Sequence, residues 1–173
     1  MKQKLTNLAV GELVAVVVFW INFFLFKKLL ITTKSLISIS FSLFILSFIL
    51  IQGSIFWCIL IKRISKQGFA AKYTGKIYNK LKILDVILLC IGVPVIILNY
   101  STFFTMIVSF AIWIFAVIEW VNYYKLQLSY SLNPVVLLKY ILQRKLRKSK
   151  IANEIDNSFD FETYGETLEE TKF

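Results

Sequence analysis

Long apolar runs, each closed by a small cluster of basic or polar residues, set the pattern of this chain. The first extends from about Leu8 to Phe26 and stops at Lys27 and Lys28; the second extends from Leu36 to Ile61 and stops at Lys62 and Arg63. The third covers Leu84 to Asn99, and the fourth Phe103 to Val121. A bilayer core of about 30 Å calls for roughly 20 apolar residues in a helix, because lipid offers backbone amides no hydrogen-bond partner. The pattern therefore predicts an all-α, polytopic membrane protein with four transmembrane helices in a bundle, at about 8–26, 36–61, 84–99 and 103–121. The second run is long enough to need tilt. The first run is N-terminal and preceded by Lys2 and Lys4, as a signal peptide would be. Its apolar stretch exceeds the roughly 7–15 residues of a signal peptide, however, and it ends in bulky Phe23, Phe24 and Phe26, so it reads as a retained helix.

The segments between and after the runs have their own periodicity. In the loop 62–82, Phe69, Tyr73, Ile77 and Leu81 recur at four-residue spacing, with Lys72, Lys76 and Lys80 on an adjacent stripe. That is the pattern of a basic amphipathic helix lying at a membrane interface, with Gly75 as its weak point. A second such helix is expected over 133–151, with Asn133 as N-cap and Pro134 at the first helical position. It ends in a cluster of Arg144, Lys145, Arg147, Lys148 and Lys150. From 152 to 173 the composition reverses: seven of the ten acids lie here with Phe159, Phe161 and Tyr164 between them, which reads as a disordered tail. The expected organisation is a membrane domain over 1–130, a cytoplasmic basic helix over 133–151 and the acidic tail.

Charge gives the topology a direction. Lys and Arg number two before the first run, seven over 62–82 and eight after the fourth run, against Lys27, Lys28 and Lys34 on the opposite side. Seventeen against three places both termini in the cytoplasm of a multi-pass cell-membrane protein, since positive loops stay inside. Lys27 and Lys28 are exceptions that can snorkel to the outer headgroups. The net charge of +10 accompanies a chain that is 58% hydrophobic, and its basic residues flank apolar runs instead of covering a polar domain. This excludes nucleic acid as the expected partner and points to anionic lipid of the inner leaflet, contacted by Lys72, Lys76, Lys80, Arg144, Lys145, Arg147 and Lys148. Cys58 and Cys90 lie inside apolar runs and read as small packing residues.

Three acids lie in or beside the runs: Glu12, Asp85 and Glu119. Charge in a membrane span is costly and marks a functional site by default, so these three are candidates for a proton or cation site. Glu12 and Asp85 fall near helix N-termini, where the helix dipole favours an anion, whereas Glu119 falls near a C-terminus, where the dipole opposes it. Glu119 therefore calls for a cationic or protonated partner, such as Lys125 or a lysine of the 62–82 loop. Ser40, Ser47 and Ser54, at seven-residue spacing in the second run, read as a seam against another helix. Gly92 and Pro94 suggest a bend in the third, and Trp20 and Trp113 read as packing residues.

The chain has no histidine, no phosphate-binding glycine loop, no dinucleotide fingerprint and no nucleophile-elbow motif, so neither an enzyme nor a metal or cofactor site is expected. The stretch IEWVNYYKLQLSY, residues 118–130, followed by a basic helix, resembles the C-terminal part of small uncharacterised four-helix membrane proteins of Gram-positive bacteria. That resemblance carries neither an activity nor any functional residue. Two functions stay open. One is a non-enzymatic accessory or regulatory protein that binds a membrane-protein partner or anionic lipid. The other is a small homo-oligomeric transporter or channel for protons or cations that uses the three carboxylates.

Overall fold

The backbone hydrogen bonds of an apolar chain in lipid must close within the segment, and helices are what forms here. A computed structural model describes residues 2–29, 32–65, 71–99, 101–125 and 149–156. They form α1 (Lys2–Phe26), a single 3-10 turn (Lys27–Leu29), α2 (Thr33–Ser65), α3 (Ala71–Asn99) and α4 (Phe103–Tyr124). Residues 150–156 are also helical, and no strand occurs among the described residues. All four long helices are long and apolar enough to cross a membrane.

The helices overrun the apolar runs that seeded them. α1 begins at Lys2, ahead of Leu8, and α3 begins at Ala71, so residues 71–82 are the first part of the third helix instead of a separate one. Nothing between Lys82 and Leu84 breaks a helix, and Gly75 costs only about 1 kcal/mol relative to alanine. α2, with 33 residues, is about 50 Å long at 1.5 Å per residue. At the start of α4, the Thr105 hydroxyl accepts from the Thr102 amide and donates to the Thr102 carbonyl, which closes the first turn.

The described residues fall into two compact units, one within Met1–Gly68 and Leu84–Glu119, the other within Phe69–Ile83 and Trp120–Phe173. In the first unit α2 is the central element. Of its most apolar stretch 56% is buried within the protein, against 6% for that of α1. α1 offers α2 one stripe, Leu5, Ala9, Glu12, Val16, Phe19 and Phe23, all buried or half-buried, and leaves Val10, Val14, Val17, Ile21 and Leu25 exposed. The alternating spacing of four and three is that of an interhelical seam. Along this seam the Ser54 hydroxyl donates to the Ala9 carbonyl at 2.9 Å, and the Trp20 indole to Ser47 at 2.9 Å.

A second face of α2 carries Ser35, Ser38 and Ser42, all fully or almost fully buried. Ser38 donates to Ser109 of α4 at 2.8 Å, Ser42 donates to the Ser38 carbonyl, and Ser35 pairs with Ser101. Small hydroxylated residues let two helices approach and still satisfy their own polar atoms. Of the expected seam residues, Ser47 and Ser54 face α1, whereas Ser40 is half-buried and bonds only the Ile37 carbonyl of its own helix. Cys58 and Cys90 are free and exposed, so they face outward and do not pack.

α3 passes through Pro94 without ending. Gly92, two residues earlier, lies against the indole of Trp113, whose N–H donates to the Leu89 carbonyl at 3.0 Å. A Cβ at Gly92 would stand 2.8 Å from the Trp113 ring and 3.1 Å from Ile45 of α2, closer than a rigid ring allows. In the second unit, Ser149 joins two helix ends. Its hydroxyl accepts from the Ala152 amide at 3.0 Å, capping the helix 150–156, and donates to the Tyr123 carbonyl. The Ser149 amide donates to the Lys125 carbonyl, so this one residue meets two carbonyls at the end of α4. Ile151 and Ile155 are buried, which makes the first residues of the acidic segment helical.

Gly92→Ala is expected to lower stability by about 1–3 kcal/mol, because Trp113 must move and lose its bond to Leu89. Thermal unfolding in detergent measures the loss, and Trp113→Phe, which removes the crowding part of the ring, should recover part of it in the double variant. Additive losses would mean that the two side chains do not meet.

Candidate functional site

Within six residues of α2, three polar side chains reach other helices: Gln52, Ser54 and Trp57. All three are buried. The Gln52 amide donates to Asp85 Oδ1 of α3 at 2.8 Å. The Trp57 indole donates to Glu12 Oε1 of α1 at 2.9 Å. Ser54, between them, holds the Ala9 carbonyl, three residues before Glu12. Residues 52 and 57 lie five positions apart, about 7.5 Å along the axis and well round the helix, which is why one serves α3 and the other α1.

Asp85 is 0% exposed. A carboxylate in the hydrocarbon region costs at least about 2.5–3.5 kcal/mol unless the protein supplies partners, so the Gln52 bond answers a real demand. Each of these neutral donors satisfies one carboxylate oxygen, Oδ1 of Asp85 and Oε1 of Glu12. Both donors are rigid relative to a lysine: the indole is planar, and Gln52 is enclosed among buried neighbours. The acids are thereby fixed in the packing of the helices.

Glu12 is half-buried on the α1 seam, Asp85 is fully buried on α3, and Glu119 is half-buried near the end of α4. Among the described residues no three His, Cys, Asp or Glu side chains gather into a group that could hold a metal ion. Lys125, which the sequence offers as a partner for Glu119, lies with its ammonium 5.5 Å from the Trp120 ring centroid. Of the expected lipid contacts, Lys72, Lys76 and Lys80 lie in the first turns of α3, with Lys76 and Lys80 exposed. Arg144, Lys145, Arg147 and Lys148 lie outside the described residues.

Sequence reasoning missed Gln52 and Trp57. One signal was present: Gln52 is the only carboxamide in α2, and an isolated amide in an apolar run needs an interior partner. Ser35, Ser38 and Ser42, at spacings of three and four, form a face distinct from the seven-residue series of Ser40, Ser47 and Ser54.

Gln52→Leu should destabilise the folded protein by about 1–3 kcal/mol, the cost of leaving a buried acceptor with one donor fewer. Asp85→Asn keeps a carbonyl for Gln52, so its loss should be smaller than that of Asp85→Leu in the parent background. Asp85→Leu in the Gln52→Leu background should recover most of the loss, because both ends of the bond are then apolar. Detergent unfolding curves of the set decide it; a large loss in Asp85→Asn would mean that the charge itself holds the helices.

Comparison with protein-family models, curated proteins and solved structures finds no match to this chain, so a functional reading must rest on the contacts themselves.

Proposed function

We propose that this protein is a non-enzymatic accessory or regulatory component of the cell membrane. In this reading four spanning helices form a bundle with both termini in the cytoplasm, and the bundle binds a partner membrane protein. Its basic segments contact anionic lipid of the inner leaflet. The observation that supports it most is the way two of the three acids are held. Glu12 and Asp85 are each tied to α2 by a separate neutral donor, which gives them a role in helix assembly. A transport path would instead gather them around a polar cavity.

The outer surface of α1 suits a partner helix. Gly11 is exposed there, with nothing within 4 Å of where its Cβ would stand, and half-buried Ala15 follows one turn later. Small residues four apart allow a second helix to approach closely in lipid. Exposed Lys76 and Lys80 extend the first turns of α3 as a basic strip for acidic headgroups.

The alternative, an oligomeric proton or cation transporter, has one observation in its favour: Asp85 is completely buried in a spanning helix. Flux measured in proteoliposomes separates the two. The accessory reading expects proton, sodium and potassium flux no greater than that of empty vesicles. Flux that disappears in Asp85→Asn or Glu119→Gln would establish transport instead. A photoreactive residue at position 11 should then give a discrete adduct with a second membrane protein.

Sidedness is tested separately, in a variant with Cys58 and Cys90 replaced by alanine. Lys34→Cys should react with a membrane-impermeant maleimide in intact cells, and Lys80→Cys only after permeabilisation. The reverse order would invert the topology.

A further inference from the structure

Three lysines, Lys27, Lys28 and Lys34, stand on the side of the chain that the positive charge otherwise avoids. The dipole of α1 accounts for the first two, which follow its C-terminal end. It does not account for Lys34, in the first turn of α2, where the dipole disfavours a cation. All three are exposed.

Beside them lies a cavity of about 460 Å³ between α1, α2 and α4. Its wall includes Phe23 and Phe26 of α1, Ile39 of α2, and Phe104 and Val108 of α4, with Asn22 as its one polar side chain. The volume lies within the roughly 300–1,000 Å³ of small-molecule sites. Phe26 immediately precedes Lys27, Ile39 stands five residues after Lys34, and Phe104 is the second residue of α4. The cavity and the lysines therefore share one end of the unit. They are also joined by contact. The Lys27 ammonium lies 5.2 Å from the Phe24 ring centroid, and Phe24 packs on Phe23, which faces the cavity.

An apolar slot capped by cations matches an amphiphile with a hydrocarbon tail and an anionic head. We infer that this end of the protein binds one anionic glycerophospholipid, with an acyl chain in the cavity and its phosphate among Lys27, Lys28 and Lys34. Charge complementarity selects the anionic class: the wall has nothing to distinguish one chain from another, whereas the lysines distinguish headgroups. The site gives the three exceptional lysines a ligand. From Phe19 to Phe26 the wall runs about 10 Å along α1, enough to hold the part of a chain nearest its head. The leaflet, outer, rests on the topology proposed above. The binding does not, because both ends of the protein are open in detergent, so failure of the site and failure of the sidedness appear in different experiments.

The full chain, purified in detergent, is titrated with phosphatidylglycerol or phosphatidylcholine, and the bound lipid is counted by native mass spectrometry. The site predicts one phosphatidylglycerol held in clear preference to phosphatidylcholine. Replacing Lys27, Lys28 and Lys34 together by glutamine should weaken it by about tenfold or more, since each lysine near an anionic group contributes about a factor of five. These side chains are exposed, so folding is not at risk. Val108→Phe, which fills the slot, should weaken it comparably, and Ile112→Phe on the same helix serves if the first variant unfolds. Unchanged binding in the glutamine variant overturns the proposal. So does loss confined to that variant with the filled slot still binding, which would mean a headgroup contact alone. Equal retention of phosphatidylcholine would leave a nonselective apolar crevice and overturn it as well.

Discussion

In hydrocarbon a polar side chain has no water to fall back on, so each one must find its partner inside the protein. α2 is where this constraint is met. Among the described residues, Ser38, Ser47, Gln52, Ser54 and Trp57 each reach another helix through a side-chain hydrogen bond, and Ser35 reaches Ser101 just ahead of α4. The same bonds explain why so much of α2 is buried and so little of α1. Individual bonds of this kind contribute about 0.6 kcal/mol on average in membrane helices, which is small, but their directions are specific. Apolar contact alone would leave α2 free to rotate among neighbours that look alike; Gln52 facing α3 and Ser54 facing α1 fix its rotation.

In the accessory reading proposed above, that arrangement limits what the acids can do. Asp85 is held by a side chain enclosed among buried neighbours, and Glu12 by an indole that is itself packed edge-on against Phe56 at 5.5 Å. A site that takes up and releases an ion needs its ligands to rearrange, whereas these ligands are part of the packing. Glu119 differs in setting. It sits half-buried near the end of α4. In the proposed topology that end of the helix faces the cytoplasm, where a carboxylate can be hydrated and meet basic groups without a path through the protein.

The four spans and their order were legible in the sequence because length and apolarity are all that lipid requires of a helix. The buried faces were not. In water a helix advertises its inner face by contrast with a polar outer one; in α1 the buried Leu5 and Ala9 and the exposed Val10, Val14 and Val17 are equally apolar. The contrast is absent, so periodicity cannot say which stripe packs. Polar residues were the remaining clue, and serine spacing was a partial one. A helix of 3.6 residues per turn drifts about 20° per heptad, so Ser40 and Ser54 do not face quite the same way, and only Ser47 and Ser54 reach α1. The neutral donors to the acids were hidden for a related reason. Charge pairing is legible in a sequence as opposite signs, whereas an amide donating to Asp85 and an indole donating to Glu12 carry no charge to count.

The distribution of lysines carries a further physical argument. The charge bias that orients a chain needs the basic residues to be few on the far side, not absent, and Lys27, Lys28 and Lys34 reduce that bias without strengthening any fold contact seen in the first unit beyond the Phe24 ring. Close packing normally consumes the space between helices, since an unfilled gap forfeits the dispersion contacts on both sides. A slot of several hundred cubic ångströms between α1, α2 and α4 is therefore favourable only if something apolar fills it, and in a bilayer that material is lipid chain. Once a chain occupies the slot, its headgroup must lie at the end where the three lysines stand. In the proposed lipid site, the cavity and the exceptional charges are two consequences of one bound molecule, which then joins the elements that hold this helix arrangement together.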